Sequence, residues 1–562
     1  MNLLMHKLAA WMGLVALLLG LAAPAQAAAG AETGFIALAA DRGFQGNEEI
    51  RDAFEAFAQG RNAELVVVTD ARTQAALQRA LARLGERGAR RALVLPVFLS
   101  EAEPKWQQVR PWLQNPPLPL TVAPVFGRSY FAVEALAEAL RIPEHAQHTR
   151  VLVASSASGP SGNRALEQDL QQLAERAAQG LGLAAANAVV WYDSAREASR
   201  RALAEAAASA LKQEHTLVVP FHLGRRLDGM MSFDAELRQS LPDGAAWASK
   251  PPAPEPWLTT WMEREANRFG PLAPREVGVI LLAHGSDFHW NETMREAVRP
   301  LEARHPVEYV FSMADQPLIE RAVHRLQRRG ARAAVIVRVF GLESSFKSDV
   351  ERMIGADVEG NASPQATATM HGHHEHHGHG DGPALPPPRI RSPLAMTTVG
   401  GLDAHPLFAA ALLDRARALS ADPAKDTVIL VAHGTGDDQR NEQWLAVLRD
   451  LAAQMNKGAS TPFRAVRWAT WREDWPDQRG PWVRKVREMV EQARKDGGRA
   501  LVIPARTNGK GPERRFLEGL QFELGEGFAP HPLFLRWFEA QVAEGTKLIG
   551  PAPEARQVSH AH

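Results

Sequence analysis

The chain has 562 residues, of which 45% are hydrophobic and 23% are charged, so it can bury the cores of several domains. Its 64 basic and 64 acidic residues cancel, which gives no electrostatic reason to expect a nucleic-acid partner. It contains no cysteine, and this excludes disulfides, thiolate metal sites, iron–sulfur clusters and thiol nucleophiles.

Residues 1–28 have the pattern of a secretory signal peptide. His6 and Lys7 give a weakly basic start, residues 8–23 are apolar, and residues 25–27 form a small-x-small cleavage site. An uncleaved membrane anchor is the alternative interpretation. No other long apolar run follows, so we expect an exported protein without a stable membrane span. In a Gram-negative bacterium such a protein is periplasmic.

Four stretches of the chain share one plan: an apolar strand, a turn, and a helix that begins near an asparagine. The strand ends and their asparagines are Ala40 with Asn47, Ser155 with Asn163, His284 with Asn291, and His433 with Asn441. The first and third pairs are seven residues apart, whereas the second and fourth are eight apart. This spacing indicates the tandem duplication of a two-lobed module. We expect the asparagines to be helix N-caps, with ligand binding as the alternative.

Strands alternate with helical stretches of about ten to fifteen residues, which is typical of βαβ units and parallel sheets. The predicted fold class is therefore α/β, with four flavodoxin-like lobes that have parallel sheets and form two tandem bilobal modules. The expected segments are a signal peptide at 1–28, lobes at 29–147 and 148–244, a linker at 245–275, a lobe at 276–358, a flexible His-rich insert at 359–393, a lobe at 394–545 and a loose tail at 546–562.

The third and fourth of these strands end in Ala-His-Gly, at His284 and His433. In an open parallel sheet, ligands bind at the carboxyl ends of the strands. The first two repeats carry Ala40 and Ser155 instead, so we expect the chemistry in 275–540 and a scaffolding or binding-only role for the N-terminal half. A hydrogen-bonded structural histidine is the alternative for His284.

The low-complexity insert concentrates histidine: His371, His373, His374, His376, His377 and His379 fall within nine residues. Such a segment cannot form a core and is expected to be flexible. Six imidazoles bind divalent first-row metals whatever the backbone does. We therefore predict metal binding, for delivery, storage or scavenging. An expression tag is the alternative, but its internal position and its Gly and Glu interruptions argue against it.

The strand ending in Ala-His-Gly-Ser, the Asn-Glu helix start at Asn291, the Arg-Gly-Ala-Arg segment at 329–332 and the apolar strand that follows together resemble the class II chelatases. The nearest group is the CbiX/SirB family of sirohydrochlorin chelatases. The resemblance is clearest over 277–355, weaker over 427–540, and faint over 33–145 and 150–243.

This resemblance implies paired chelatase-like lobes with a cleft between them, and insertion of a divalent metal ion, Co²⁺, Ni²⁺ or Fe²⁺, into a tetrapyrrole that carries many carboxylates. The metal would be a substrate or a ligand, and the sirohydrochlorin-like tetrapyrrole would be the partner. Because a tandem duplication puts both clefts in one chain, we expect a monomer.

The resemblance places a metal ligand at His284 and, by repetition, at His433. Family members usually have a second histidine four residues before an aspartate. Here Asp349 is present, but Ser345 occupies the histidine position. Glu343 is then the nearest candidate for the second catalytic group, since a carboxylate can take a pyrrole proton or hold a hydrated cation.

Ser286, Arg338 and Lys347 are the expected substrate contacts, with the two cations paired to substrate carboxylates. Ordinary surface cations are the alternative for both. His289 is a further candidate ligand. His405 and His531 each precede Pro-Leu-Phe at a helix start and are interpreted as caps rather than ligands.

Two functions remain open at this point. One is an enzyme, an exported chelatase of the sirohydrochlorin cobaltochelatase type. The other is a binding protein derived from a chelatase that holds metal or tetrapyrrole and hands it on. The missing second histidine and the export signal favour the binding protein. A hydrolase that uses Ser286 is disfavoured, because no Gly-x-Ser-x-Gly elbow surrounds it.

Overall fold

The computed structural model describes residues 32–114, 116–141, 146–212, 215–225, 227–228, 231–248, 252–359, 385–509 and 511–550. The expected signal peptide and the six insert histidines lie outside these residues and are not described further as structure. The chain divides into two compact units: the N-terminal unit contains 1–269 and 355–393, and the second unit contains 270–354 and 394–550.

Each unit contains two four-stranded parallel sheets, and all four sheets have the same strand order. The first strand is central, the second lies on one side of it, and the third and fourth follow on the other side. This order is that of the first four strands of a flavodoxin-type sheet. The predicted α/β class and the four lobes are therefore confirmed.

The first sheet has a central strand that is buried along its whole length, as expected for a parallel sheet covered on both faces. Its strands are β1 (Thr33–Ala40), β2 (Ala63–Val68), β3 (Arg91–Val97) and β4 (Leu120–Val122). The helices of this lobe are α1 (Gly43–Ala58), α2 (Arg72–Glu86), α3 (Pro104–Val109) and α4 (Tyr130–Leu140).

The second lobe includes a strand and a helix that lie inside the expected linker. The strand is the fourth strand of the second sheet. Its strands are β5 (Thr149–Ala157), β6 (Ala185–Tyr192), β7 (His215–Pro220) and β10 (Ala246–Trp247), and β8 (Leu227–Asp228) forms a small hairpin with β9 (Met231–Ser232). The helices are α5 (Arg164–Ala178), α6 (Arg196–Leu211), α7 (Phe233–Gln239) and α8 (Glu255–Arg268).

The prediction of a linker at 245–275 was therefore wrong. Helix α8 packs against α1 and α4 and buries Trp257, Leu258, Trp261 and Met262. These residues recur at the spacing of one helix face, which is the pattern of an amphipathic core helix. The proline and tryptophan content of the segment had suggested a loop.

The third sheet is interrupted by the insert. Its strands are β11 (Val277–Ala283), β12 (Val307–Phe311), β13 (Ala333–Val339) and β14 (Ala395–Gly400), and its helices are α9 (Phe288–Val298), α10 (Gln316–Arg328) and α11 (Lys347–Met353). Strand β14 pairs with β13 from Ala395 to Gly400. The expected start of the fourth lobe at 394 is therefore corrected, since this strand belongs to the third sheet.

The fourth lobe begins after α12 (Pro406–Leu419). Its strands are β15 (Thr427–Ala432), β16 (Ala465–Thr470), β17 (Ala500–Pro504) and β18 (Glu523–Leu524), and its helices are α13 (Asp438–Gly458), α14 (Pro476–Lys495), α15 (Glu513–Phe516) and α16 (Pro532–Ile549). Helix α16 continues to the buried Ile549, so the expected tail cannot begin at 546.

The two lobes of each unit share one hydrophobic core. In the N-terminal unit, residues of β1 and β3 lie in the same core as residues of β5 and β7. In the second unit, residues of β11 and β13 lie in the same core as residues of β15 and β17. Each pair of lobes is therefore one bilobal body, as the repeat spacing predicted. Among the helices of the described ranges, none is long and apolar enough to span a membrane.

Both described ends of the insert are anchored in the N-terminal unit by buried ion pairs. Arg389, only 7% exposed, donates to Asp357 and to the buried Glu134 at 2.6 and 2.8 Å. Arg264, also buried, donates to Glu359 at 2.5 Å. Residues 385–393 had been expected to belong to a flexible segment. Within this stretch Arg389, Ile390 and Ser392 are instead buried, and Arg389 is held there by its hydrogen bonds to Glu134 and Asp357.

Candidate active site

The two predicted catalytic residues follow neighbouring strands of the third sheet. His284 comes directly after β11, and Glu343 lies in the loop after β13. The two strands pair in parallel, with Ala283 opposite Val339. The chain runs from β11 to β12 on one side and then crosses to β13 on the other, so this edge is the topological switch point where ligands bind in such sheets.

The imidazole of His284 is exposed, and its orientation is set by the next residue. Its Nδ1 lies 2.5 Å from the carbonyl oxygen of Gly285, so Nδ1 carries the proton and donates it. Gly285 has a φ of 80°, and a Cβ there would lie 2.8 Å from Phe311. Only glycine fits this turn. Nε2 is therefore left with a free lone pair at the sheet edge, which fits a metal ligand better than a structural histidine.

The loop after β11 is held by the asparagine that follows it. The Asn291 side-chain oxygen accepts the Ser286 N–H at 3.1 Å, and Asn47 accepts the Arg42 N–H at 2.8 Å in the first lobe. Ser286 itself is exposed beside His284, where it can reach a ligand. His289 is exposed in the first turn of α9, with its ring against Phe288.

The prediction of asparagine N-caps was right only for Asn163, which caps α5. Helices α9 and α13 begin earlier, because Asp287 and Asp437 accept the first free N–H groups. Asn441 therefore lies inside α13, buried, and accepts a hydrogen bond from Thr470 at 2.9 Å.

His405 and His531 are helix caps, as predicted. Each ring accepts a backbone N–H through Nδ1, at 3.1 Å from Leu407 and 3.2 Å from Leu533. Burial lowers the pKa of both imidazoles, in keeping with a neutral ring that acts as an acceptor.

Glu343 is half-exposed and held by several contacts. Lys347 donates to its Oε1 at 2.6 Å, and its own N–H donates to Asp403 at 3.0 Å. On the other side, Gly341 packs directly against the indole of Trp444 on α13, so the loop also contacts the fourth lobe. Lys347 was predicted to bind substrate. In this structure it neutralises Glu343 and, being 27% exposed, still faces solvent.

Arg338 was predicted to bind substrate, and this was wrong. Its side chain is 1% exposed, and burial lowers the pKa of its guanidinium. Its N–H groups donate to the carbonyls of Glu343, Ser345 and Gly400 and to the Thr398 hydroxyl. A charged residue inside an apolar strand was predicted to pair with substrate carboxylates, because sequence does not reveal the backbone carbonyls that accept its hydrogen bonds.

His433 repeats the backbone geometry of His284, but its second ring nitrogen already has a hydrogen-bond partner. Nδ1 donates to the Gly434 carbonyl at 2.7 Å, while Nε2 lies 2.8 Å from Asp474 and 3.5 Å from Glu473. Both nitrogens therefore face acceptors. The prediction of a metal ligand conflicts with this arrangement, since a metal would have to displace Asp474. The two carboxylates lie three and four residues after the end of β16, and that position is the signal that sequence reasoning missed.

The N-terminal unit has no imidazole at the ends of its two first strands, where Ala40 and Ser155 are both buried. Its lobes are also pressed together at this edge. The Arg42 guanidinium donates to Ser156 at 3.3 Å, and a Cβ on Gly224 would lie 2.4 Å from the Gly46 carbonyl oxygen. This close backbone contact closes the sheet edge of the N-terminal unit. The candidate site of the second unit lies at the corresponding edge of its own sheet.

A histidine that the sequence reasoning missed lies at the end of β7. His222 is 8% exposed, its Nδ1 has no hydrogen-bond partner among the described residues, and its Nε2 lies 3.7 Å from Asp234. Burial lowers the pKa of His222 to about 3, helped by the nearby cations Arg42 and Arg225. The signal was an apolar strand that ends in Phe-His, in the repeat that lacks histidine at the end of its first strand.

Within the described residues, no group of three or more His, Asp or Glu side chains is arranged to hold a metal ion. His284 thus offers one protein ligand rather than a closed structural site. The insert histidines remain a prediction from sequence.

Comparison with known families identifies the segment that contains the third lobe. Residues 278–419 match the CbiX family model. This segment is a CbiX domain, of the class II (sirohydrochlorin) chelatase family. The match covers the third lobe, the insert and α12, and it ends before β15. No curated protein matches the chain. The CbiX domain contains His284, Ser286, Glu343 and Lys347, and its family binds metal and tetrapyrrole and implies a metal chelatase in general.

Proposed function

We propose that this protein is an exported chelatase that inserts a divalent first-row metal into a sirohydrochlorin-like tetrapyrrole, with Co²⁺ as the metal and Ni²⁺ or Fe²⁺ as further substrates. The observation that carries the proposal is the exposed imidazole of His284, whose Nδ1 is turned to the Gly285 carbonyl so that Nε2 is the nitrogen available to a cation. It lies in the CbiX segment, at the switch point of the third sheet.

The reaction exchanges two protons for one metal ion. Two pyrrole N–H bonds break, two protons leave, and the ring nitrogens bind a cation that has shed its water. In this proposal His284 holds the incoming cation through Nε2. Glu343 accepts one pyrrole proton and solvent water accepts the other, and Lys347, which is bonded to one of the Glu343 oxygens, keeps that carboxylate oriented.

A single protein ligand suits a metal that passes through. Structural sites close around an ion with four ligands, whereas His284 contributes one. The macrocycle nitrogens can then compete for the cation, because they replace water rather than a set of protein donors. The absence of a three-ligand cluster among the described side chains agrees with this role.

The proposed location and metal supply rest on sequence features. The signal-like residues 1–28 support export to the periplasm, and the six histidines of 371–379 support metal capture next to the CbiX lobe in the chain. Because one polypeptide contains both lobes of each module, we propose that the protein is a monomer.

A non-catalytic carrier of metal or tetrapyrrole is the second candidate. Two observations favour it: Ser345 replaces the second histidine of the family, and Nε2 of His433 is already hydrogen-bonded to Asp474. A carrier would bind its cargo once per site and would not turn over.

Absorbance spectroscopy of the purified full-length chain with sirohydrochlorin and Co²⁺ separates the two functions. A chelatase converts many equivalents of tetrapyrrole, and His284→Ala loses this activity. A carrier produces a spectral change that stops at a stoichiometric amount. No change of either kind with Co²⁺, Ni²⁺ or Fe²⁺ would contradict both functions.

A further inference from the structure

Arg338 is a buried arginine at a position where the other three sheets carry proline. In the third sheet Leu282, two residues before His284, faces Arg338. The matching pairs are Leu38 with Pro96 in the first sheet, Ala154 with Pro220 in the second and Val431 with Pro504 in the fourth. A buried guanidinium is costly unless its hydrogen bonds are satisfied, so its presence in only this one of the four sheets requires a physical reason.

The contacts of Arg338 join two segments that border the site. Nη1 donates to the carbonyl oxygens of Glu343 and Ser345, so the guanidinium is bonded to the backbone of the loop after β13. Nε donates to Thr398 at 3.1 Å and Nη2 to Gly400 at 3.3 Å, at the end of β14. One side chain therefore fixes the loop after β13 to the neighbouring strand.

The first lobe shows what the loop does with proline at this place. Glu101 stands five residues after Pro96, as Glu343 stands five after Arg338. Glu101 is turned towards its own lobe, where Oε2 accepts the Trp106 indole N–H at 2.8 Å. Among the described residues, Glu343 makes no such indole contact and is paired with the partly exposed Lys347, with 46% of its own side chain exposed.

We propose that Arg338 is the positioning residue of the candidate active site, which holds the Glu343 loop so that the carboxylate remains at the edge that carries His284. This inference rests on the proposed chelatase function for its kinetic consequence. Arg338 does not touch substrate and acts only through Glu343.

Three variants of the full-length chain test the assignment, with Co²⁺ and sirohydrochlorin as substrates. Arg338→Met removes the four donors, and Arg338→Lys keeps a charge that can reach part of them. Ile336→Val is the matched control, since it thins the buried core of the same strand and leaves the loop contacts intact. We expect Arg338→Met to lower kcat about 10- to 100-fold with KM for Co²⁺ within about twofold, because misplacement of a catalytic group affects the chemical step. Arg338→Lys should recover part of the loss.

A double variant separates positioning from general damage. In a Glu343→Gln background, Arg338→Met should cause no further loss, because there is no catalytic carboxylate left to misplace. The assignment is refuted if the two losses multiply, or if Arg338→Met loses no more activity than Ile336→Val.

The proposed function can fail separately. If the wild-type chain shows no turnover, the chelatase proposal falls, and hydrogen exchange of peptides covering 340–347 then decides the positioning role. Faster exchange in Arg338→Met but not in Ile336→Val would support it. Equal exchange in the two variants would overturn it.

Discussion

Replacing His222 with glutamine should remove part of the acid sensitivity of the N-terminal unit. The buried imidazole has its pKa lowered from the usual 6.5 to about 3, mainly by burial and further by Arg42 and Arg225. An unfolded chain takes up a proton at this residue below pH 6.5, whereas the folded chain does not until about pH 3. The stabilising contribution is therefore complete above pH 6.5 and is lost progressively as the pH falls below it.

The slope follows from one proton bound by the unfolded chain alone. It amounts to about 1.4 kcal/mol per pH unit well below pH 6.5, so the N-terminal unit should lose about 2.5 kcal/mol through His222 between pH 7 and 4.5. Asp234 faces the ring at 3.7 Å, and burial raises the pKa of its carboxyl. Because the folded state then binds that proton first, Asp234 opposes the loss at lower pH, and the measurement should stay above pH 4.5.

Native-state hydrogen exchange at pH 7, 6 and 5 reads the unit by itself, on peptides from β7. His222→Gln should show a pH dependence that is shallower than that of the wild type by about one proton. Leu237→Ala, in the buried cluster that includes Phe233, whose ring contacts His222, should lower stability at every pH and keep the wild-type slope. Parallel slopes for the wild type and His222→Gln would show that the imidazole is not the buried neutral group inferred here.

Three further outcomes are expected. In the absorbance assay, His284→Ala should lower the rate of metal insertion about 100-fold or more. Ala40→Ser in the N-terminal unit is the control and should leave the rate unchanged. Equal rates in the wild type and His284→Ala would contradict the assignment of the site. A short Gly-Ser linker in place of 361–383 should reduce the metal bound per chain, measured by elemental analysis, without changing the unfolding temperature; unchanged metal content would contradict the insert prediction. Arg389→Leu should destabilise the N-terminal unit by about 3 kcal/mol in urea unfolding, because the buried Glu134 then loses one of its arginine partners. A loss below about 1 kcal/mol would contradict a stabilising role for the Arg389–Glu134 ion pair.

The lobes and the position of His284 were predictable because central parallel strands are continuous apolar runs that end abruptly. Val279–Ala283 is such a run, and the residue after it must lie at the carboxyl edge of a sheet. The repeat spacing added the pairing of lobes. These signals are local, so no knowledge of the tertiary fold was required.

The errors share the opposite property. Strand β14 pairs with β13 across the insert, and no local pattern reports such a partner. Arg338 is satisfied by carbonyls of two separate segments, and His433 by a carboxylate 41 residues away. Each of these roles is fixed by a residue distant in sequence, so the residue type alone suggested a surface cation or a free ligand.

The interleaving of the two units along the chain has a consequence for synthesis and dissection. A ribosome that has made residues 1–269 has not yet supplied Arg389, and one that has made 270–354 has not yet supplied β14. Neither unit can therefore complete its fold until residues from about 355 to 400 have been synthesised. A gene cut between 269 and 270 would yield two incomplete fragments. Fragments intended to fold alone would need 355–393 joined to the first piece and β14 onward spliced directly to 354.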